Sequence, residues 1–301
     1  MNFKMNKKNI AIAGATGYLG KYLVEELIDQ KLNGKALARS PEKLNEYSAE
    51  NLEKIKTDFT RPESLQGVLK TVDTLISTVG ITRQKDGLSY LDVDYQANIN
   101  LLEEAQKAGV RKFIYVAVLN GQNMRELRIC EAKERFVDRL KISGLEYTII
   151  RPTGFFSDMK DFLEMAQRGS VYLFGKGDKK MNPIHGKDLA KVCFNAVNSN
   201  QTEVLVGGPE VFTHRQIAEM ALKAAGKKPK IIRLPDFLRK AIIALARTFF
   251  AEKTFGPVEF FLTAMAFDMV APKFGTHKLI HFFAVSAKNT HQHKNKKNEL
   301  T

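Results

Sequence analysis

Only two cysteines, Cys130 and Cys193, occur in the 301 residues, which is too few for a disulfide framework. No H-x-x-H, C-x-x-C or paired-carboxylate arrangement in the sequence suggests a metal site, so no metal is expected. No apolar run approaches the roughly 20 residues that cross a bilayer. No apolar targeting segment precedes the first strand candidate, near Asn9. These absences predict a cytoplasmic protein without a transmembrane segment, and they leave peripheral membrane contact open.

Acidic residues are too few to balance the basic ones, and the net charge is +14. Part of the excess lies near the ends, in Lys4, Lys7 and Lys8 and in residues 285–301, which hold four lysines and one glutamate. The other basic residues are scattered and show neither aromatic interleaving nor a nucleic-acid-binding module, so no nucleic-acid partner is expected. An anionic ligand or an acidic membrane surface explains the charge equally well.

Residues 1–151 alternate short apolar runs with helical patterns, which is typical of a parallel sheet covered by helices on both faces. The alternation predicts the α/β class with a doubly wound parallel sheet of the Rossmann type. The strand candidates are NIAIA, KALA, EKIKTDF, DTLISTV, RKFIYVAV and EYTIIRP, and the helix candidates are 18–30, 62–69, 91–108 and 125–142.

After residue 151 the pattern loosens, and residues 152–284 are expected to form a smaller region for a substrate or partner at the carboxyl edge of the sheet. Its helix candidates are 158–168, 186–198, 213–225 and 236–250. The last of these has an apolar face that fits four alternatives: packing within the region, closure over an apolar substrate, a homodimer, or a membrane surface. Residues 285–301 are polar and aperiodic, and are expected to be a disordered basic tail.

The stretch NIAIAGATGYLGKYLVEELI places Gly14, Gly17 and Gly20 between a strand and an amphipathic helix. The first glycine permits a tight turn, the second lets a pyrophosphate approach the backbone, and the third allows close packing of helix on strand. Free N–H groups at the start of the helix then point at the anion. In this setting the glycines predict a dinucleotide site, and the alternative is a turn without a ligand.

The end of the second strand predicts which dinucleotide is bound. An NAD site usually places a carboxylate there to hold the ribose 2′-hydroxyl. This chain has Arg39, Ser40 and Lys43 instead, whose guanidinium, hydroxyl and ammonium groups suit a 2′-phosphate. NADP(H) is therefore expected rather than NAD(H), and the alternative is a solvated arginine.

Lys133 lies in the middle of the helical stripe formed by Ile129, Phe136, Val137 and Leu140. A charge at the centre of an apolar face indicates a cofactor hydrogen bond or a shifted pKa for proton delivery. The alternative is a lysine whose stem packs while its ammonium reaches water.

Three further polar residues are interpreted as structural. Tyr115 lies within an apolar strand, and His185 in NPIHGKD is a lone histidine, which is more often structural than functional. Asp188 is expected to cap the helix that follows it.

Several segments resemble the atypical short-chain dehydrogenase/reductases of the NmrA-like kind. In the first half these are GATGYLG, LARSPEKL, TDFTRPESL and GVRKFIYVAVLNG. The later stretches TIIRPTGFFSDM, YLFGKGDKKMNPIHGKDLA, VGGPEVFTHRQIAEMAL and APKFGTHKLIHFF are most similar to the divinyl chlorophyllide 8-vinyl-reductase subgroup. Looser similarity extends to the 39-kDa-type accessory subunit of respiratory complex I and to a photosystem assembly factor. The resemblance covers roughly residues 8 to 283.

The resemblance implies further cofactor contacts in four segments. It places a pyrophosphate, an adenine, an adenosine ribose and a nicotinamide along the chain in that order. The corresponding residues are Thr16, Gly17, Tyr18 and Leu19 for the pyrophosphate, Asp58 and Phe59 for the adenine, Ser77, Thr78 and Val79 for the ribose, and Pro152, Thr153, Gly154 and Phe155 for the nicotinamide. Asp58 could instead cap a turn, and Phe155 could belong to the core.

The catalytic set of the family is incomplete in this chain. Typical members use a serine after the fifth strand and a tyrosine four residues before a lysine, as proton donor and its partner. Ala117 stands at the serine position and Ile129 at the tyrosine position, so only Lys133 remains as a catalytic candidate. Carbonyl reduction or epimerisation through that tyrosine is therefore not expected. Two alternatives remain: an NADPH-dependent reductase of an apolar conjugated substrate, and a non-catalytic NADP(H)-binding sensor or assembly factor with a protein partner near a membrane complex.

Overall fold

The computed structural model describes residues 9–81, 87–249 and 252–298. Its strands are β1 (Ile10–Ala13), β2 (Gly34–Ala38), β3 (Leu52–Lys56), β4 (Thr74–Ser77), β5 (Lys112–Val116), β6 (Glu146–Pro152), β7 (Val171–Phe174), β8 (Lys180–Met181), β9 (Glu203–Val206), β10 (Phe212–Thr213) and β11 (Ile231–Leu234). Its α-helices are α1 (Tyr18–Asp29), α2 (Ala97–Lys107), α3 (Arg128–Lys141), α4 (Lys160–Gln167), α5 (Gly186–Val197), α6 (His214–Ala224), α7 (Asp236–Phe249), α8 (Glu252–Ala264) and α9 (Leu279–Asn298).

The chain divides into two compact units. The first comprises the described residues up to Arg151 together with Leu189–Leu205, and the second comprises Pro152–Asp188 and the described residues from Val206 onward. The first segment of the first unit ends at Arg151, the last residue before Pro152 of the second unit. The return of residues 189–205 to the first unit corrects the expectation that all of 152–284 forms one region.

The first unit contains a seven-stranded parallel sheet with the order β3-β2-β1-β4-β5-β6-β9, which confirms the predicted α/β, doubly wound fold. Strand β1 is buried along its whole length, as expected for a central strand covered on both faces. In the register, Ala13 of β1 is opposite Leu37 of β2 and Ser77 of β4. The segments that follow these strands therefore leave the sheet at one edge.

The helices of the first unit bury the apolar stripes that the sequence shows. Helix α1 buries Leu19, Leu23 and Leu27. Helix α3 buries Ile129, Phe136, Val137 and Leu140, the stripe that surrounds Lys133. These side chains are removed from water, and this removal stabilises each helix more than its intrinsic propensity does.

Arg151 connects strand β9, which lies in the returning segment 189–205, to the rest of the first unit. Its guanidinium is 2% exposed and donates to both carboxylate oxygens of Glu134, at 2.6 and 2.9 Å. It also donates to Glu203 in β9 at 2.6 Å and to the Val118 carbonyl at 3.1 Å. A planar guanidinium can satisfy these acceptors together, so one side chain links α3, β6 and β9.

Two predicted helices differ from the structure. Residues 62–69 form only a short 3-10 turn over Pro62–Leu65, and Gly67, with φ +73°, follows it in a backbone conformation that side chains rarely adopt. Residues 91–108 divide into a wider π-helical turn, Leu91–Gln96, and helix α2.

The expected disordered tail is wrong for residues 285–298, which continue helix α9. Leu279, Phe283 and Ala287 recur at four-residue spacing and are 1%, 0% and 4% exposed, so they anchor the helix within the second unit. The prediction ended the ordered region near Phe283 and missed Ala287 as the next residue of this stripe.

The second unit is built mainly from helices. Strand β7 pairs in parallel with β11, and β8 pairs antiparallel with β10. Helix α6 begins with a capping box, in which Thr213 accepts from the Gln216 N–H and Gln216 in turn accepts from the Thr213 N–H. None of the helices in the described part of the chain is both long and apolar enough to span a bilayer.

Candidate functional site

The glycine turn after β1 has room for backbone only. Gly14 has φ +82°, and a Cβ there would lie 2.7 Å from Thr78 Oγ1. A Cβ on Gly20 would lie 2.1 Å from the Gly14 carbonyl oxygen, because α1 packs directly against the turn. Gly17 is exposed at the turn, and its N–H donates to Gly14 O at 3.0 Å. Gly14 thus makes the tight turn and Gly20 allows the close helix packing, whereas the approach of a pyrophosphate to Gly17 stays a prediction.

The start of helix α1 presents positive backbone potential without a side chain to neutralise it. Gly17 is the N-cap and makes no side-chain cap, and no acidic residue lies in the first turn. Such a helix end attracts an anion through its N–H groups and its dipole. Of the other residues expected here, Thr16 and Tyr18 are half-buried and Leu19 is buried, so Leu19 can offer only its backbone. This part of the site fits a pyrophosphate.

Basic residues follow β2 at the same edge of the sheet. Arg39 and Lys43 are exposed, and the half-buried Ser40 precedes a 3-10 turn over Pro41–Leu44. The Gly14 N–H donates to the Leu37 carbonyl at 3.2 Å, so the glycine turn lies beside the end of β2. Contact of Arg39, Ser40 or Lys43 with the 2′ position of a nucleotide stays a prediction.

The residues after β3 have structural partners. Asp58 Oδ1 accepts from the Thr60 N–H at 3.1 Å and from the Thr60 hydroxyl at 2.7 Å. Asp58 thus caps a turn, the alternative that the sequence left open. Phe59 is 8% exposed and belongs to the core of the first unit. Contact of either residue with an adenine stays a prediction.

The residues after β4 use their hydroxyls within the protein. Ser77 is fully buried and donates to Asn98 Oδ1 at 2.6 Å. Thr78 Oγ1 donates to the Ala13 carbonyl at 3.1 Å, beside the glycine turn. Val79 is 5% exposed and lies in the core. This segment can therefore contact a ribose mainly through its backbone atoms.

Lys133 forms an ion pair that the sequence did not predict. Its ammonium lies 2.8 Å from Asp94 Oδ1, and the Asp94 side chain is fully buried. Asp94 Oδ2 also accepts from the Ile81 N–H at 3.2 Å. A Cβ on Gly80 would lie 2.5 Å from Asp94 Oδ1 and 2.8 Å from Lys133 Nζ, so the pair occupies the space beside a bare glycine backbone.

The pair keeps the lysine charged. Burial alone would lower the pKa of Lys133, but the Asp94 carboxylate attracts and hydrogen-bonds the ammonium, and the pKa is raised above its usual range. The Tyr115 ring centre lies 5.7 Å from the same ammonium, and burial raises the pKa of Tyr115 to about 12. Lys133 is therefore a fixed positive charge held by the π-helical turn, a kind of turn that is frequent at functional sites.

The residues at the two positions where the family carries catalytic hydroxyls cannot replace those hydroxyls. Ala117 and Ile129 are each 6% exposed and are apolar. Asp94 and Gly80 are the site residues that sequence reasoning missed. The available signal was an acidic residue on the helix after the fourth strand, but only the fold shows that this residue meets Lys133.

The nicotinamide residues predicted on the second unit begin at the end of β6. Pro152 and Thr153 are buried, and the Thr153 hydroxyl donates to the Asn182 carbonyl at 2.6 Å. Phe155 is half-buried, and its N–H donates to Asp158 Oδ2 at 2.8 Å. A Cβ on Gly154 would lie 3.2 Å from the methyl carbon of Met181. Their contact with a nicotinamide stays a prediction.

Asp188 does not act as the expected helix cap. Its carboxylate lies in the first turn of α5, accepts from the Thr276 and His277 N–H groups at 3.2 and 3.1 Å, and pairs with His277 Nδ1 at 2.9 Å. His277 stacks on His185 with ring centres 4.2 Å apart. Burial lowers the pKa of His185 to about 4, so this imidazole is neutral at physiological pH. The described residues contain no group of three or more histidines, cysteines or carboxylates placed to hold a metal ion.

A comparison with known protein families agrees with the geometry of this site, that is, with the glycine turn, the uncapped helix start and the parallel sheet. A family model described as NAD(P)H-binding matches residues 14–200. The chain belongs to this NAD(P)H-binding family. The match begins at the first glycine of the turn and includes Asp94 and Lys133.

The individual proteins to which this NAD(P)H-binding protein is similar are named for different functions. The Photosystem II assembly factor Ycf39 of Guillardia theta is 28% identical over 235 residues, 75% of this chain and 73% of that protein. The chloroplastic divinyl chlorophyllide a 8-vinyl-reductase of Arabidopsis thaliana is 26% identical over 268 residues, 80% of this chain but only 64% of that protein. A nucleoside-diphosphate-sugar epimerase from Staphylococcus aureus shares the fold, with a TM-score of 0.73 at 19% identity over 92% of this chain and 99% of that chain. The resemblance to the vinyl-reductase subgroup is confirmed.

Proposed function

We propose that this NAD(P)H-binding protein is an NADPH-dependent reductase that acts on an apolar, conjugated substrate. The observation that carries the proposal is the buried Lys133–Asp94 pair beside Gly80, in a fold whose usual catalytic serine and tyrosine are replaced by apolar residues. Carbonyl reduction by the usual serine–tyrosine mechanism needs a hydroxyl to protonate the developing alkoxide, and this chain has none at either position. Reduction of a conjugated C=C bond makes a smaller demand on such a donor.

The preference for NADPH rests on the segment after β2. Arg39 is exposed directly after the strand, and Ser40 and Lys43 follow it. A guanidinium binds a phosphate through paired hydrogen bonds, whereas the 2′-hydroxyl of NADH offers no charge to it. NADPH, when bound, supplies the hydride of the reduction.

Lys133 has a positioning and electrostatic role in this proposal. Because Asp94 raises the pKa of the ammonium, Lys133 holds its proton at neutral pH and is a poor proton donor. An ammonium has three donor hydrogens, and the ion pair with Asp94 needs at most one of them. The others can orient a ribose hydroxyl while the positive charge stabilises negative charge nearby. The proton that completes the reduction would then come from water or from the substrate.

A second candidate function is a non-catalytic NADP(H)-binding factor that assembles or regulates a protein partner. The absence of hydroxyls at Ala117 and Ile129 favours it, because a protein that only binds the nucleotide has no use for them. A relative at 28% identity is named as a photosystem assembly factor. The two candidates share the nucleotide site and differ in turnover.

Turnover with a panel of conjugated apolar acceptors tests the reductase. The purified protein is mixed with NADPH and each acceptor, and nucleotide oxidation and the mass of the reduced product are followed together. We expect one nucleotide to be oxidised for each product molecule gaining two hydrogens. Lys133→Met should lower this turnover at least about tenfold, the size of one lost charge-assisted contact, whereas Lys141→Met, an exposed lysine on the same helix, should not.

The panel also separates the two candidates. Tight NADPH binding without oxidation by any acceptor, together with a partner that co-purifies in stoichiometric amount, would favour the binding factor. Turnover that survives Lys133→Met unchanged would keep the reductase but remove Lys133 from its mechanism.

A further inference from the structure

Helix α7 places apolar side chains toward water and an arginine toward the protein. Phe237 is 66% exposed and Leu245 is 59% exposed, whereas Arg239 between them is 8% exposed. The Arg239 guanidinium is held by Asp236, with Nε to Oδ1 at 2.8 Å and Nη2 to Oδ2 at 3.2 Å. This burial is the reverse of the usual surface helix, which turns its apolar stripe inward.

Five exposed residues of α7 share one side of the helix, and Asp236, Ile242 and Arg247 are exposed elsewhere on it. Phe237, Lys240, Ala241, Ala244 and Leu245 follow the helical period of i, i+3, i+4, i+7 and i+8, and all are exposed. We call these five residues the α7 face. Single exposed apolar residues are common on soluble proteins, but two large ones in register with two alanines form a continuous surface that water solvates poorly.

The sequence around the α7 face is strongly basic. Residues 227–247 contain seven lysines and arginines and one acidic residue, Asp236, which Arg239 already neutralises. Arg247 pairs with Glu259 of α8. The other five cations are all exposed, and they are Lys227, Lys228, Lys230, Arg233 and Lys240. Within residues 227–247 the chain therefore combines an apolar strip with five exposed cations and has no acid besides Asp236.

We propose that the α7 face binds the surface of an anionic lipid bilayer, with Phe237 and Leu245 inserted among the acyl chains near the headgroups. An interfacial helix of this kind carries large apolar residues on one side and cations beside them that contact lipid phosphates. A second copy of this chain fits less well. A two-fold interface would oppose the α7 face to itself and bring Lys240 and its basic neighbours against the same charges.

Vesicle binding by the full chain tests the proposal, and its readout does not involve turnover. The protein is sedimented with vesicles of phosphatidylcholine alone and with vesicles that also contain phosphatidylglycerol. We expect binding to the anionic vesicles only, and weaker binding as salt rises, because ions screen charges at the membrane surface. Phe237→Ser/Leu245→Ser should weaken this binding about tenfold or more, since two large side chains no longer leave water.

Matched variants test whether vesicle binding depends on the α7 face. Ile142→Ser/Val285→Ser removes two other exposed apolar side chains, 74% and 60% exposed, and should bind vesicles as the parent does. Lys228→Glu/Lys230→Glu should weaken binding and flatten its salt dependence. Unchanged binding by the Phe237/Leu245 variant, or equal binding to neutral vesicles, would overturn the proposal. So would an absence of vesicle binding with a Phe237/Leu245-dependent dimer in light scattering, which would assign the face to a second copy.

Discussion

The Lys133 ammonium lies 2.8 Å from a carboxylate oxygen of Asp94, and the Asp94 side chain is fully buried. The family's usual tyrosine would stand one helical turn before the lysine, where this chain has Ile129. Asp94 is therefore the charged partner of the lysine, and the Tyr115 ring lies near the same ammonium. Its charge is fixed by the protein, and its position is set by the π-helical turn that carries Asp94.

Asp94→Asn should destabilise the protein by about 3 kcal/mol, because it leaves the largely buried ammonium without a counter-ion. The free energy of unfolding from urea titration measures this change. Asp92→Asn is the matched control, since Asp92 lies in the same turn but is exposed and bonds Ser89. The double variant Asp94→Asn/Lys133→Met should recover part of the loss. Equal losses in the single and double variants would show that the pair is not coupled.

The variants Gly20→Ala and Gly109→Ala should distinguish the effect of steric crowding by an added Cβ from the effect of backbone strain. A Cβ on Gly20 would lie 2.1 Å from Gly14 O, so the variant should displace the turn and lose at least about tenfold in NADPH affinity. Gly109 has φ +70° with no atom within 4 Å of the added carbon, so its variant should lose only about 1 kcal/mol of stability. Calorimetric titration should show intact nucleotide binding for Gly109→Ala. Intact binding in both variants would contradict the phosphate cradle.

Arg39→Ala should weaken NADPH binding at least about tenfold, or about 1.4 kcal/mol, and change NADH binding much less. The physical reason is the loss of a charge that can pair with the 2′-phosphate and has no counterpart on NADH. Calorimetry with both nucleotides measures the difference. Arg139→Ala removes another exposed arginine in the first unit and serves as the control. A wild-type preference for NADH would refute the role of Arg39 but leave the fold unaffected.

His214 should make the protein less stable in acid. Burial lowers its pKa to about 4, so the folded protein disfavours the proton that the unfolded chain binds near pH 6.5. Its contribution is fully present above about pH 6.5 and is lost as the pH falls toward about 4, by about 3 kcal/mol in total. His214→Gln should flatten the fall in urea midpoint between about pH 7 and about pH 5. His281→Gln, at an exposed histidine, should keep the parent's slope.

Periodic segments of the fold could be predicted from the sequence, and segments that depend on remote contacts could not. The stripe Leu19, Leu23 and Leu27 identified α1 because one face of that helix is buried along its whole length. Helix α9 was missed because most residues of this stretch are polar. They obscure the four-residue spacing of its buried residues Leu279, Phe283 and Ala287. The role of residues 189–205 depends on β9 joining the sheet, which is a contact between distant segments.

The sequence by itself determined the glycine turn, the cation after the second strand and the absence of hydroxyls at positions 117 and 129. These features depend on residue type at a fixed spacing, and local geometry is sufficient to interpret them. Only the tertiary structure decided that Asp94 meets Lys133, that Asp188 binds the loop at His277, and that α7 turns Phe237 outward. Each of these depends on which distant side chains the fold brings within a few ångströms, where burial and charge act together.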